Sequence, residues 1–525
     1  MNMRAMSISP ALLGFLFLCS SGLLAQDAHT ALFMDLAPQH TRLHLASRPS
    51  NGYLGMPLLG NLRIEMGNSL VHPVQWLSQV SGESEATFNL DAVRQSFSDR
   101  NDLSMDFQWD WLNAGGFSAN RRSFWSVAVS EHIQSRIELP EDLMRLPFTG
   151  NASAALMASS LDFSSFQFQF SHRREFAASW QYEWNDKISS GLRVAYLQGL
   201  SYAGTRDNST HWTINPDTYA WGVEGGLAMD VAGWPMANFE DSKEVSDYFN
   251  TKGNRGVSAA IALQFKPSEK WNGFIQIADL GKLNWSSDVQ NWSIADTTMV
   301  FSGLVVDDTE ALDAWPSDSL ENWLESIGAA WEQAFAVDSS SSSFSQILLP
   351  KMSVGVSWQA FKTQRQEGTV GAWARSDGQG YWDWRLSYNH RFNEWVGLAF
   401  SHGVNQSRKS TFGLALCLNA GPLAMFVATD HIGFSKWTRI VVEQMKEGTI
   451  ASEEEFIVPN QSHAMQLQAG LTWRFGWRKS SSKHQKSNPA PNQSVFKGSS
   501  TRNPGMDSRE HPGAVPCNAP GSWKD

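Results

Sequence analysis

Between Ala464 and Trp477 the chain alternates without interruption. Met465, Leu467, Ala469, Leu471, Trp473, Phe475 and Trp477 fall on one face, and Ala464, Gln466, Gln468, Gly470, Thr472, Arg474 and Gly476 on the other. A period of two sustained this long predicts a β-strand. It outruns the strands of about ten residues at which globular sheets mostly stop, and suits a tilted strand that needs about 9 to 11 residues within a bilayer's hydrocarbon. Trp473, Phe475 and Trp477 crowd one end of the apolar face, where an aromatic girdle meets lipid headgroups. Gln466, Gln468 and Arg474 then face a lumen.

The same chemistry recurs. Trp382, Trp384, Leu386 and Tyr388 alternate with Asp383, Arg385, Ser387 and Asn389, so the first set is assigned to lipid, and Asp383 and Arg385 to the lumen. Phe166, Phe168 and Phe170 oppose Gln167, Gln169 and Ser171. Phe176, Ala178, Trp180, Tyr182 and Trp184 oppose Gln181 and Glu183, and Val257, Ala259, Ile261, Leu263 and Phe265 oppose Ser258, Gln264 and Lys266. Met352, Val354, Val356 and Trp358 alternate with Ser353, Gly355, Ser357 and Gln359. With weaker stretches near Trp109, Trp125, Val194, Tyr219, Phe274, Thr369, Val396, Leu414 and Phe426, the count reaches roughly 14 to 16, and a single-chain barrel closes on an even number. The fold class expected is all-β: a single closed antiparallel transmembrane β-barrel over 101–478, preceded by an N-terminal segment, 26–100, that forms a plug or the first strands.

Helical signals are few. Pro140, Glu141 and Asp142 make a helix start, and Ser317 to Phe335 places Leu320, Trp323, Leu324, Ile327, Ala330, Trp331 and Phe335 at helical spacing. The latter reads as a rim or plug element in an insertion near 311–340, against the plainer reading of an amphipathic helix on a soluble domain.

Residues 1–25 read as a signal peptide, with Arg4, the apolar run Ala11–Leu18 and a cut after Leu23-Leu24-Ala25. Cys19 follows bulky Leu18 and is not read as a lipidation site. Elsewhere no apolar run is long enough for a membrane helix, which leaves an exported soluble protein or an outer-membrane barrel. Residues 479–525, rich in Ser, Pro, Asn, Gly and Lys, read as a disordered basic tail. Removing it makes the body more acidic than the whole chain, whose net charge is -11.

Of the 525 residues 18% are charged, below the roughly 25% of soluble domains, while Trp numbers 24 and Phe 30. That balance fits a surface that does not meet water everywhere. No basic block in the body suggests nucleic acid as a partner. Cys19, Cys417 and Cys517 are too far apart for a disulfide framework or a metal knuckle.

The chain carries no phosphate loop, zinc-protease helix or nucleophile elbow, and no catalytic, cofactor or metal site is assigned. His29, His40 and His44 suit no single helix face. Ser387 with His390, and Ser401 with His402, are compared with a serine–histidine pair and read as ordinary polar or rim positions. Asp383 and Arg385 face one way and read first as bracing for the wall, second as a guide for solute.

Several glycine-rich turns and aromatic strand ends carry a family likeness. They are Gly52-Tyr53-Leu54-Gly55-Met56-Pro57-Leu58-Leu59-Gly60-Asn61, Lys252-Gly253-Asn254-Arg255-Gly256, Ala278-Asp279-Leu280-Gly281-Lys282-Leu283-Asn284-Trp285, Phe301-Ser302-Gly303 and the closing Phe475-Gly476-Trp477. In their order and spacing the chain, from about residue 30 to 478, resembles a family of uncharacterised outer-membrane proteins of Bacteroidota. That family carries a domain-of-unknown-function label and looks like the long-chain fatty-acid transporter type of barrel. The resemblance implies outer-membrane residence and leaves the substrate open. Two features depart from it: Ala260 stands where an acidic residue is expected, and a tail follows the last strand. Independently of the resemblance, Gly253 and Gly256, and Asp279 with Gly281, read as sources of the positive φ that tight turns need.

Three functions compete at this point. The first is passage of a small or amphipathic molecule across the outer membrane. The second is a non-transporting barrel, a scaffold or accessory subunit for secretion or surface assembly with a periplasmic or surface protein as partner. The third is an exported soluble β-rich protein that binds glycans through exposed Trp. The barrel readings imply outer-membrane lipid and the barrel assembly machinery as partners.

Overall fold

The computed structural model describes residues 29–475, apart from 39, 69–76, 79–86, 89–99, 150–159, 218–219, 234–252, 302–335, 377, 379–381, 406–409, 433–436, 447–448 and 460–463. The expected signal peptide, the helix at 317–335, Trp477 and the tail lie outside the described residues.

The alternating segments close into one antiparallel barrel of 14 strands. They are β1 (Gly52–Gly55, resumed at Leu62–Asn68), β2 (Arg100–Phe117), β3 (Ser123–Pro140), β4 (Gln167–Asn185), β5 (Ile188–Asn208), β6 (Arg255–Ser268) and β7 (Trp271–Trp285), then β8 (Lys351–Lys362), β9 (Glu367–Ser376), β10 (Trp382–Arg391), β11 (Val396–Asn405), β12 (Ser410–Ala420), β13 (Leu423–Ile432) and β14 (Ala464–Phe475). Each pairs with its neighbour in sequence. Closure is made by β14, which lies between β13 and β1 with Phe475 opposite Gly52 and Ala469 opposite Leu62. Helix α1 (His40–Leu43) lies in the N-terminal segment, and α2 (Glu141–Thr149) follows β3 with Glu141 and Asp142 in its first turn.

β1 is broken by an excursion at Met56–Asn61, where Leu58 has φ +64°. The break stays hydrogen-bonded: Leu58 N donates to Asp110 O, and Leu471 N to Leu59 O. Strands β2 to β5 are much longer than β9 to β13, so one side of the wall stands taller. At its top β5 changes partner. Up to Gln198 it pairs with β6, and from Tyr202 onward with a strand at Trp221–Ala232. Trp285, fully buried, fills the fork against Tyr202 and Phe344.

The expectation that Gly253, Gly256 and Gly281 supply positive φ is corrected. Of these residues and Asp279 only Asp279 does so, at +60°. Gly256 and Gly281 are required by close approach of neighbouring strands, since a Cβ there would lie 2.2 Å from Lys282 O and 2.1 Å from Val257 O.

The outer face of the barrel is apolar. Trp125, Val127, Phe176, Val194, Tyr196, Val257, Ile261 and Leu263 are exposed on one side, and Trp384, Leu386, Phe400 and Trp473 on the other. Turns of two to five residues join the strands at one end, while at the other five of the seven connections run to 26 residues or more, the form of an outer-membrane barrel whose short turns face the periplasm. A closed wall with an apolar exterior belongs in a bilayer, and this protein is an outer-membrane β-barrel.

Candidate functional site

The described residues of 29–50 lie inside the barrel. A 3-10 turn at His29–Ala31 is buried against the inner wall, where its backbone N–H groups need acceptors. Asp430 of β13 supplies them: the carboxylate accepts from His29 N at 2.7 Å and Thr30 N at 2.8 Å, and from the Thr30 hydroxyl at 2.5 Å. Thr30 Oγ1 also meets Ser401 Oγ at 2.6 Å. Arg375 donates to the His29 ring at 2.8 Å, which leans on Trp373.

The next residues pack apolar surface. Leu32, Met34, Ala37 and Leu43 form one buried cluster with Phe274, Trp373 and Phe426 of the wall. Glycines and alanines on the inner wall make the room. A Cβ at Gly371 would meet Phe33, one at Gly397 would meet Leu36, and one at Gly191 would lie 2.2 Å from Leu45 O. Ala260 and Ala262 pack on Leu45 and Ala46, so an acid at 260 would be driven into the plug.

Polar contacts hold the second half. Arg42 reaches Asp110 at 3.0 Å and Ser130 at 2.9 Å; Leu45 N donates to Gln276; Arg48 pairs with Glu183. His40 binds Ala37 O and Ser47, whereas His44 is fully buried against Phe274. Burial, with lesser repulsion from His40 and Lys266, lowers the His44 pKa to about 3. The three histidines thus have separate partners.

Space remains on both sides of the plug. A chamber of about 120 Å³ is lined by Arg42, Arg173, Glu175, Arg193 and Lys351 among others, and another of about 160 Å³ lies beside it toward Ile347–Leu349. At the short-turn end a vestibule of about 620 Å³ lies beneath Phe33, Ser47 and Arg48.

Asp383, Arg385, Gln466, Gln468 and Arg474 point inward. Arg385 is 4% exposed and donates to Asp383 at 2.9 Å and to Asp430 O at 3.0 Å, while Gln466 Oε1 accepts from Asp430 N at 3.0 Å. These three therefore gather around Asp430 beneath the head of the plug. Gln468 bonds Asn61 instead, and Arg474 caps the turn at Gly421. Trp384, Leu386, Tyr388, Trp473 and Phe475 are exposed outside, and Trp382 is half-buried. Ser387 and Ser401 face inward while His402 faces outward and His390 meets the Tyr388 hydroxyl. Serine and histidine of each pair lie on opposite faces, which forbids a nucleophile–base contact.

Sequence reasoning missed Asp430, Arg375 and Arg173. Asp430 has a readable signal, since Ala424, Phe426, Ala428 and Asp430 share one face of Leu423–Ile432. Arg173 has none: the run His172-Arg173-Arg174-Glu175 puts charge on both faces of β4 and hides the period.

Residues 46–430 match the model of a family described as a family of unknown function, DUF5723. Comparison with curated proteins returns no match. Among solved structures, the chain is similar to a Pseudomonas aeruginosa FadL homologue, at 8% identity and a TM-score of 0.38 over 87% of this chain and 96% of the other. It is similar also to the Ralstonia pickettii toluene transporter TbuX, at 8% identity and 0.36 over 85% and 95%, and to the P. putida toluene transporter TodX, at 9% and 0.35 over 87% and 95%.

Proposed function

The chain belongs to DUF5723, a family of unknown function, and from its own geometry we propose that it passes small or amphipathic molecules across the outer membrane through a plugged lumen. The observation that carries this reading is the plug: residues 29–50 occupy the lumen between an inner chamber and a vestibule, held by a few polar contacts and a modest apolar cluster. A scaffold barrel does not need unfilled chambers on both sides of its plug.

In this reading Asp383, Arg385, Gln466, Gln468 and Arg474 line the lumen or its rim, and Trp382, Trp384, Leu386, Tyr388, Trp473, Phe475 and Trp477 meet lipid. Asp383 and Arg385 anchor the head of the plug through Asp430 rather than contacting cargo. The test is conductance of the full chain in a planar bilayer combined with solute uptake into proteoliposomes. Low conductance with measurable, selective uptake is expected; a stable, large conductance would overturn the plugged form.

A further inference from the structure

Arg173 differs from the cations that surround it. It sits on β4 beside a bulge between His172 and Arg173, and is 6% exposed. Its guanidinium has one neutral partner, Nη1 donating to Gln134 Oε1 at 2.6 Å, while Nε has none. Arg42, Arg63, Arg193 and Lys351 nearby are each paired, with Asp110, Asp106, Glu175 and Asp279 respectively. Among the described residues no carboxylate lies within ion-pair distance of Arg173. A guanidinium cannot shed its proton, and Glu175 and Asp279, the two carboxylates that feel its charge, are each held directly by another cation, Arg193 and Lys351. No direct ion pair offsets its desolvation.

The surroundings fit an anion. The two chambers share Arg173, Gln134, Asp279 and Lys351, so they meet at this guanidinium. Each has room for several waters, and hence for a group of three or four oxygens. His132, on the strand next to Arg173, lines the same chamber; its ring Nε2 makes no hydrogen bond and lies 3.8 Å from Glu175 Oε2.

We propose that Arg173, with Lys351 and His132 beside it, binds an oxyanion, a phosphate or carboxylate group, within the lumen. The planar fork of Arg matches two oxygens of such a group, and Lys351, which also holds Asp279, lines the same chambers and adds a second positive charge. This deepens the passage reading and rests on it for its purpose: the cargo, or a group that travels with it, is anionic.

The test is calorimetric titration of the full chain in neutral micelles with sodium phosphate, sodium acetate and octyl phosphate, for wild type, R173Q and R173K. Saturable binding is expected, weakened about tenfold or more in R173Q and by less in R173K, which keeps the charge but loses the fork. Tighter binding of octyl phosphate than of phosphate identifies a headgroup; equal binding identifies a free anion. Absence of saturable binding by all three to the folded wild type would overturn the proposal, as would wild-type affinity in R173Q. Where R173Q does not fold, wild-type affinity in R173K does the same. Uptake is read separately. Binding without passage would remove the transport reading and leave the site, and passage without binding would do the reverse.

Discussion

At the scale of single residues, the inner wall is shaped by what is missing. Gly191 faces Leu45 O so closely that any Cβ would displace the plug, while Gly256 faces Lys282 O across two wall strands. Overpacking of this kind costs about 1 to 3 kcal/mol, but it falls on different structures. We expect G191A to leave the barrel resistant to heat and expose residues 29–50 to protease, and G256A to lower the unfolding temperature of the barrel itself. Equal effects of both variants on the barrel would contradict that division. His44 adds a pH dependence. Its folded pKa of about 3 lies below the ordinary 6.5, so the folded plug disfavours the protonated ring. The stability of the neutral ring is whole above about pH 6.5 and is lost progressively as pH falls toward 3, by up to about tenfold per unit. Limited proteolysis from pH 7 to 4.5 should therefore show the plug loosening, and H44F, which keeps the contact with Phe274 without a titrating ring, should flatten the profile. An unchanged acid response in H44F would place the sensitivity elsewhere.

At the scale of elements, the alternation that defines a strand also marks where the bilayer stops. On the tall side, Trp109, Glu131, Arg174, Gln198 and Arg255 stand opposite one another in sequence across β2 to β6, all at the upper edge of the apolar belt. Glu131 is fully buried: Arg174 pairs with it at 2.5 Å, His172 at 3.2 Å, and a bulge between Asp110 and Leu112 turns the Trp111 N–H onto it at 3.1 Å. Removing one member of such a pair leaves the other charge buried without its ion partner of opposite sign, and costs about 3 to 5 kcal/mol. We expect E131L to destabilise the barrel strongly and the double variant E131L/R174L to recover much of the loss, read by urea unfolding in lipid vesicles; additive losses would mean the pair is not coupled. Leu386, 57% exposed on the short side, sits in apolar surroundings instead. Arg placed there should cost about 2 to 4 kcal/mol if it lies near the midplane. The contrast explains what the sequence could convey. Trp382 to Asn389 alternates cleanly because one face is apolar and the other polar, and the strand is legible. In β3 and β4 one face carries Glu131, His172 and Arg174 and the other carries Arg173 and Glu175, and the period that announces a strand vanishes there. The meeting of Asp383, Arg385 and Gln466 around Asp430 was illegible for another reason: it depends on three strands and a plug far apart in the chain, and alternation gives facing without giving neighbours.

At the scale of the whole molecule, two closures coexist, and they are independent. The wall closes when β14 pairs with β1 and β13, a continuous ladder that uses no residue of the plug. In the proposed reading the lumen is closed by residues 29–50, tied to the wall by contacts that include the Asp430 cap, the Arg42–Asp110 and Arg48–Glu183 pairs, the Leu45–Gln276 bond and the packing on Phe274 and Trp373. Because the hydrogen-bonded edge is complete at Phe475, truncation after Trp477 should leave heat resistance unchanged. Deleting residues 26–48 should act otherwise. The barrel is expected to assemble, since its register does not pass through the plug, but with Asp430, Arg375 and Asp110 having lost their contacts to the plug and Phe274 facing water. Water entering the emptied lumen can hydrate those charges, so the loss of stability should be smaller than for a buried pair broken in a dry core. Conductance, by contrast, should rise from near zero to that of an open pore, with a preference for anions if Arg173 and Arg375 then face the water column. A deletion variant that assembles and still fails to conduct would mean that another element, not residues 29–50, closes the lumen, and the plugged-channel reading would have to be abandoned with it.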